Sequence, residues 1–162
     1  MRSAIIGVPS RPQLFRSQGR GPNFAPAAEG TVSGGADERI LIVEDDVLIA
    51  SQMEAALAED GFEIAGVASS GREAFQLAEA QSPTLVVMDI RLAGDRDGID
   101  TALELFRLHG VRCIFASAHS DDDMRRRAAP AAPLGWLQKP YTMASLTAMV
   151  RAAVKELRNR QH

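Results

Sequence analysis

In Arg39-Ile40-Leu41-Ile42-Val43-Glu44-Asp45-Asp46 an aliphatic run of strand length is stopped abruptly by three acids. Three later apolar runs stop in the same manner. Leu85-Val86-Val87-Met88 ends at Asp89, Cys113-Ile114-Phe115-Ala116 ends at Ser117, and Trp136-Leu137-Gln138 ends at Lys139-Pro140. In an open parallel sheet the carboxyl ends of the strands lie along one edge, where ligands bind. That edge is expected to gather acids, a hydroxyl and one ammonium from positions far apart in the chain.

Helical patterns separate these runs. The first helix is expected from Val47 to about Glu59, with Leu48, Ile49, Met53, Ala56 and Leu57 facing inward and Gly61 stopping it. A second strand, Phe62 to Ala68, follows. Ser70-Gly71-Arg72-Glu73 reads as a capping box that opens a helix to about Ala80, and Ser82-Pro83 breaks it. After the loop from Ile90 to Asp97, a helix starting at Gly98 places Ile99, Ala102, Leu103 and Phe106 on one face, and Gly110 ends it. Asp121-Asp122-Asp123-Met124-Arg125-Arg126-Arg127 sets acids four residues before arginines, which favours a short exposed helix that Pro130 and Pro133 cut off. Thr142 caps a last helix with an apolar stripe of Met143, Leu146, Val150, Val154 and Leu157. Alternation of strand and helix predicts an α/β protein with a parallel sheet.

The order and spacing of the strand-end residues resemble the receiver domain of two-component response regulators, from about Arg39 to the C-terminus. The resemblance implies a flavodoxin-like (βα)5 doubly wound parallel sheet, strand order 2-1-3-4-5, which makes Asp45 and Asp89 neighbours at the switch point. Asp89 matches the phosphoryl acceptor, and Asp45 with Glu44 matches the acidic pair that holds Mg²⁺. The backbone carbonyl of Arg91 matches a third protein ligand, while Asp46 stands one place beyond the pair. Ser117 matches the hydroxyl position, Lys139 the lysine and Pro140 the proline after it. Trp136 falls where the family carries a switching Tyr or Phe. Arg91 and His119, each two places beyond a matched residue, are expected to tune how long the phosphoryl group survives. The loop from Leu92 to Gly98 is about one residue longer than the common form.

Composition fits that reading. A chain of 162 residues with 46% apolar residues suggests one core, expected over residues 38–162. Residues 1–37 contain Pro9, Pro12, Pro22, Pro26 and a glycine-rich stretch from Gly30 to Gly35, and are expected to be a disordered tail. Residues 1–36 carry four Arg against one Glu, leaving 14 basic and 20 acidic residues in the remainder, a net charge of −6. So acidic a body argues against nucleic acid as a direct ligand. Lys139 and Lys155 are the only lysines beside sixteen arginines, so a lysine at a strand end suggests a need for a compact ammonium. Cys113 is the single cysteine and excludes a disulfide within the chain; a buried structural thiol is expected. No apolar stretch has the length of a membrane span.

A carboxylate can attack phosphorus to form an aspartyl phosphate. An acidic pocket repels the incoming phosphoryl group, and Mg²⁺, which takes one or two carboxylates together with phosphate oxygens, resolves the conflict. The resemblance therefore implies a stand-alone, single-domain response regulator of the bacterial cytoplasm. The resemblance implies a phosphoacceptor rather than an enzyme, at most weakly self-catalysing its phosphorylation and dephosphorylation, with Asp89, Lys139 and Ser117 carrying the chemistry. A histidine kinase or phosphotransfer protein is the expected donor. A downstream protein is expected on the face built by the fourth helix, fifth strand and fifth helix, with homodimerisation left open. Two rival roles share the fold: an interaction scaffold that is never phosphorylated, and a phosphate sink in a phosphorelay. A dehalogenase-type hydrolase is disfavoured, because Arg91 stands where that family needs a second Asp.

Overall fold

The computed structural model describes residues 38–160, so the expected tail, 1–37, lies outside the described residues. Five strands alternate with five helices: β1 (Arg39–Val43), α1 (Val47–Glu59), β2 (Glu63–Ala68), α2 (Gly71–Gln81), β3 (Leu85–Asp89), α3 (Gly98–His109), β4 (Arg112–Ser117), α4 (Asp122–Ala128), β5 (Gly135–Gln138) and α5 (Met143–Asn159). A 3₁₀ turn, Ala129–Ala131, follows α4 directly. All strands are parallel, in the order β2-β1-β3-β4-β5. The inner strands are buried on both faces, and for that reason their sequences are unbroken apolar runs rather than alternating ones.

Strand alternation divides the core in two. Ile40, Ile42, Leu85, Val87, Ile114 and Leu137 point to one side, where Met53 and Leu57 of α1 meet Leu146, Val150 and Val154 of α5. On the other side Leu41, Val43, Val86, Met88, Cys113 and Phe115 meet Ala74, Ala78, Ile99, Ala102 and Leu105 from α2 and α3. Cys113 is buried there, and burial pushes its thiol pKa up to about 12, so it stays an uncharged packing residue.

Four local expectations need correction, the last of them in α4. In α1 the buried stripe is Ala50, Met53 and Leu57, while Leu48 is 68% exposed. Leu48 and Ala50 are two positions apart, about 200° around a helix, so both cannot face the sheet. In α3, Leu105 is buried where Leu103 and Phe106 are only half-buried. The capping box is shifted by one residue. Ser70 Oγ accepts the Glu73 N–H at 3.3 Å, but the Glu73 carboxylate turns to the N–H and hydroxyl of Ser69 (2.7 and 2.9 Å). Those two bonds hold the Glu73 carboxyl below its usual pKa.

The expected i,i+4 ion pairs of α4 are replaced by other contacts. Asp121 is the N-cap, its carboxylate accepting the Met124 N–H at 2.8 Å. Arg126 pairs with Asp123 three residues before it. Arg127 reaches across to α3, where its guanidinium grips Asp97 (2.7 and 2.8 Å) and Asp100 (2.8 Å). Asp97 also caps α3 by accepting the Asp100 N–H at 2.9 Å. Partial burial alone would raise the Asp97 pKa from its ordinary 3.8, but the Arg127 and backbone hydrogen bonds outweigh it and hold the carboxyl lower. A carboxyl depressed in the folded state contributes stability above its unfolded pKa and loses that contribution as pH falls through the folded value. Arg127→Ala is therefore expected to lower stability by about 1 kcal/mol at neutral pH, the upper end for an exposed pair because the contact is bidentate. Urea melts should show the difference from wild type shrinking in acid, below the ordinary Asp97 pKa of 3.8.

Candidate functional site: an acidic cluster at the carboxyl edge of the sheet

The parallel sheet delivers its strand ends to one edge. Glu44 and Asp45 leave β1, Asp89 is the last residue of β3, Ser117 ends β4, and Lys139 follows β5. β1 and β3 are directly paired, with Val43 opposite Met88, so the β1 acids and Asp89 are side by side. One carboxylate oxygen from each of Glu44, Asp45 and Asp89 lies within 4.8 Å of the others. Glu44 and Asp89 are buried and Asp45 is exposed. Lys139 Nζ donates to Asp89 Oδ2 at 2.8 Å and to Glu44 Oε2 at 3.2 Å.

Backbone groups fix the two buried acids. The Arg91 N–H donates to Asp89 Oδ1 at 3.0 Å, and the Asp46 N–H donates to Glu44 Oε1 at 3.1 Å. Asp46 itself is the cap of α1, its carboxylate accepting the N–H groups of Leu48 and Ile49 at 2.9 and 3.1 Å. Its place beyond the acidic pair is thus explained by helix capping. Burial, reinforced by the Asp89 charge, raises the Glu44 pKa against the pull of the Asp46 amide and Lys139. Burial works against the Lys139 ammonium, yet hydrogen bonds and charge from Asp89 and Glu44 prevail, and its pKa lies above the usual value.

The other sequence-predicted residues stand around this cluster in different ways. The Ser117 hydroxyl is engaged with its own loop, donating to the His119 carbonyl and accepting the His119 N–H at 3.1 Å. Arg91 contacts Asp89 through its amide, and its side chain is exposed. His119 is exposed and holds Ser117 through backbone groups. Trp136 lies on β5 opposite Phe115, the two rings 4.8 Å apart and tilted by 35°. Arg125 of α4 covers the Trp136 ring at 4.9 Å from its centroid.

Sequence reasoning missed Gly98. Its N–H donates to the Ile90 carbonyl at 2.8 Å, and a Cβ built there would stand 2.0 Å from the Asp89 carbonyl oxygen. The start of α3 is thus pressed against the end of β3, and only a residue without a side chain fits. A glycine at a helix start was the one available signal, and it does not by itself reveal what approaches it.

A family model for the response regulator receiver domain matches residues 40–151. The chain belongs to that family. The receiver is 38% identical over 120 residues to the transcriptional regulatory protein PdtaR of Mycobacterium tuberculosis, covering 74% of this chain and 58% of PdtaR. It is 30% identical over 105 residues to the chemotaxis protein CheY of Thermotoga maritima, covering 64% of this chain and 87% of CheY. Among solved structures, the signal receiver domain of a modulated diguanylate cyclase from Desulfovibrio desulfuricans G20 matches with a TM-score of 0.68 and 30% identity, covering 75% of this chain and 97% of that one. Among the described residues of the receiver, no helix is long and apolar enough to cross a membrane.

Proposed function

We propose that this receiver accepts a phosphoryl group on Asp89 from a histidine kinase or phosphotransfer protein, in a Mg²⁺-dependent reaction, and thereby changes which protein binds it. The observation that carries the reading is the position of Asp89: an acceptor carboxylate between a lysine ammonium and two further acids. A scaffold that is never phosphorylated has no need to bury like charges beside one another, which is unfavourable unless a cation or phosphoryl chemistry uses them.

The donor set fits Mg²⁺. Three carboxylates offer oxygens within 4.8 Å of one another, a donor chemistry that suits a hard, oxygen-preferring cation. Glu44, Asp45 and Asp89 would hold the ion, with the Arg91 carbonyl as the remaining protein ligand. When bound, it neutralises phosphoryl oxygens and so lets an anion approach an acidic pocket. The chain's own residues do the rest. Asp89 Oδ attacks phosphorus, the bond from phosphorus to the donor's histidine nitrogen breaks, and the departing imidazole takes up a proton. Lys139, kept charged by its setting, neutralises an oxygen of the transferring group, where positioning and charge stabilisation supply most of the catalysis. Ser117 then exchanges its bond to the His119 carbonyl for one to the phosphoryl group. That exchange draws the loop after β4 inward and reshapes the face of α4, β5 and α5 that a downstream protein reads.

The role is that of a switch rather than a turnover catalyst, with Arg91 and His119 governing how soon water removes the phosphoryl group. Incubation with acetyl phosphate and Mg²⁺ should add one phosphoryl group by intact mass, and EDTA should prevent it. Mg²⁺ alone should raise thermal stability, by about 2.7 kcal/mol at a hundredfold excess over its dissociation constant, and Asp45→Asn should remove most of that gain. Absence of any mass gain with Mg²⁺ present would favour the scaffold.

A further inference from the structure

Arg125 is the residue whose contacts the receiver reading leaves unexplained. Its sequence position invites an i,i+4 pair with Asp121, but Asp121 is occupied as the cap of α4. Arg125 instead folds back. Its Nε donates to the Ser120 carbonyl at 3.4 Å and its Nη2 to the Ser120 hydroxyl at 3.2 Å, while the guanidinium carbon lies over the Trp136 ring, 4.9 Å from its centroid. A single planar group therefore joins α4, the β4–α4 loop and β5. Ser120 is one residue beyond His119, whose backbone holds the Ser117 hydroxyl on both its donor and acceptor sides. The Trp136 ring also packs against Phe115, and Gln138 Nε2 donates to the Ala118 carbonyl at 3.2 Å, a second tie from β5 to the same loop.

We propose that Arg125 is a latch for the unphosphorylated state, holding Trp136 and the β4–α4 loop together so that the loop cannot follow Ser117 until this stack opens. The idea rests on the phosphoacceptor reading above. It goes beyond it in assigning the resting bias to one arginine and one tryptophan of this chain. The loop cannot travel toward Asp89 while Ser120 stays bonded to a guanidinium that is itself stacked on β5. An interaction made in only one of two states sets their populations, and a ligand that binds the other state gains apparent affinity when the interaction is removed.

Trp136 is the only tryptophan of the chain, so its emission reports on this place alone. The test is a titration of the full chain with beryllofluoride in the presence of Mg²⁺. Wild type, Arg125→Ala, Arg125→Lys, Ser120→Ala and Asp89→Asn are followed by the ¹⁹F signal of bound beryllofluoride and by Trp136 emission. The ¹⁹F midpoint decides, because loss of the guanidinium alters emission directly. Arg125→Ala is expected to lower the midpoint about 2- to 5-fold, equivalent to roughly 0.4–1 kcal/mol at 1.4 kcal/mol per decade. That is the range of a cation–π contact at a partly exposed site. Ser120→Ala should fall between it and wild type. Arg125→Lys, which keeps the charge but not the planar stack, should move in the same direction and serves if the alanine variant folds poorly. A midpoint unchanged or raised in both arginine variants, with wild type binding normally, overturns the latch and leaves the phosphoacceptor reading intact. No bound ¹⁹F signal in wild type, or an equal one in Asp89→Asn, overturns that reading and the latch with it.

Discussion

Asp89→Asn is expected to take up no phosphoryl group from acetyl phosphate while folding as well as wild type. An amide oxygen is not a competent nucleophile toward phosphorus, so the mass gain should vanish rather than diminish. Stability should behave differently. Removing one partner of a buried ion pair usually costs about 3–5 kcal/mol, because the other charge is left uncompensated. Here Lys139 retains Glu44 at 3.2 Å, and Glu44 is relieved of the Asp89 charge that helps raise its pKa. The two effects oppose, and the variant's melting temperature should stay within a few degrees of wild type or rise, since 1 kcal/mol corresponds to about 4 °C at this size. Intact mass after acetyl phosphate and a thermal melt of the same sample check both halves. A mass gain in Asp89→Asn equal to that of wild type would place the acceptor elsewhere.

Gly98→Ala is expected to be the most damaging single-methyl change in the domain. The added Cβ would meet the Asp89 carbonyl oxygen at 2.0 Å, and the Asp89 carbonyl carbon and Ile90 Cα at 2.8 Å. All three are backbone atoms of the segment that presents Asp89, so no flexible side chain can yield. Overpacking ordinarily costs about 1–3 kcal/mol, and a clash with backbone belongs at or beyond the upper limit. We expect a loss of about 3 kcal/mol or more, roughly 10 °C in melting temperature. Phosphoryl uptake should also fall in protein kept cold enough to remain folded, since β3 and α3 must separate where Asp89 sits. Gly110→Asn is the control. Gly110 closes α3 at φ +67° with nothing near its Cβ position, and asparagine tolerates that region, so the loss should be below about 1 kcal/mol.

What could be read in the sequence was whatever depends on period and on strand ends. The runs beginning at Arg39, Leu85 and Cys113 are apolar without alternation because both of their faces are covered, and that property is visible along the chain. Once the sheet is parallel and ordered, the meeting of Glu44, Asp45, Asp89 and Lys139 follows from topology. Helix faces were less legible. Leu48 and Ile49 look equally suited to the interior, yet the helix turns Ala50, Met53 and Leu57 to the core, which leaves the first exposed and the second half-buried. The partners of α4 were legible only for Arg126, which pairs with Asp123 of its own helix. Local spacing suggests that its arginines serve its own acids, whereas Arg127 finds Asp97 thirty residues earlier and Arg125 finds Trp136. The closeness of Gly98 to Asp89 likewise arises from how α3 leaves its loop.

Helix α4 spans seven residues, only its last, Ala128, is buried, and a proline-containing 3₁₀ turn closes it. Little apolar surface anchors it, so its amides should exchange with deuterium through brief local openings, while those of β1, β3 and β4 should wait for the whole domain to unfold. The receiver thus carries its weakest cooperative unit next to its most rigid one, and the boundary between them runs through the backbone that cradles the Ser117 hydroxyl.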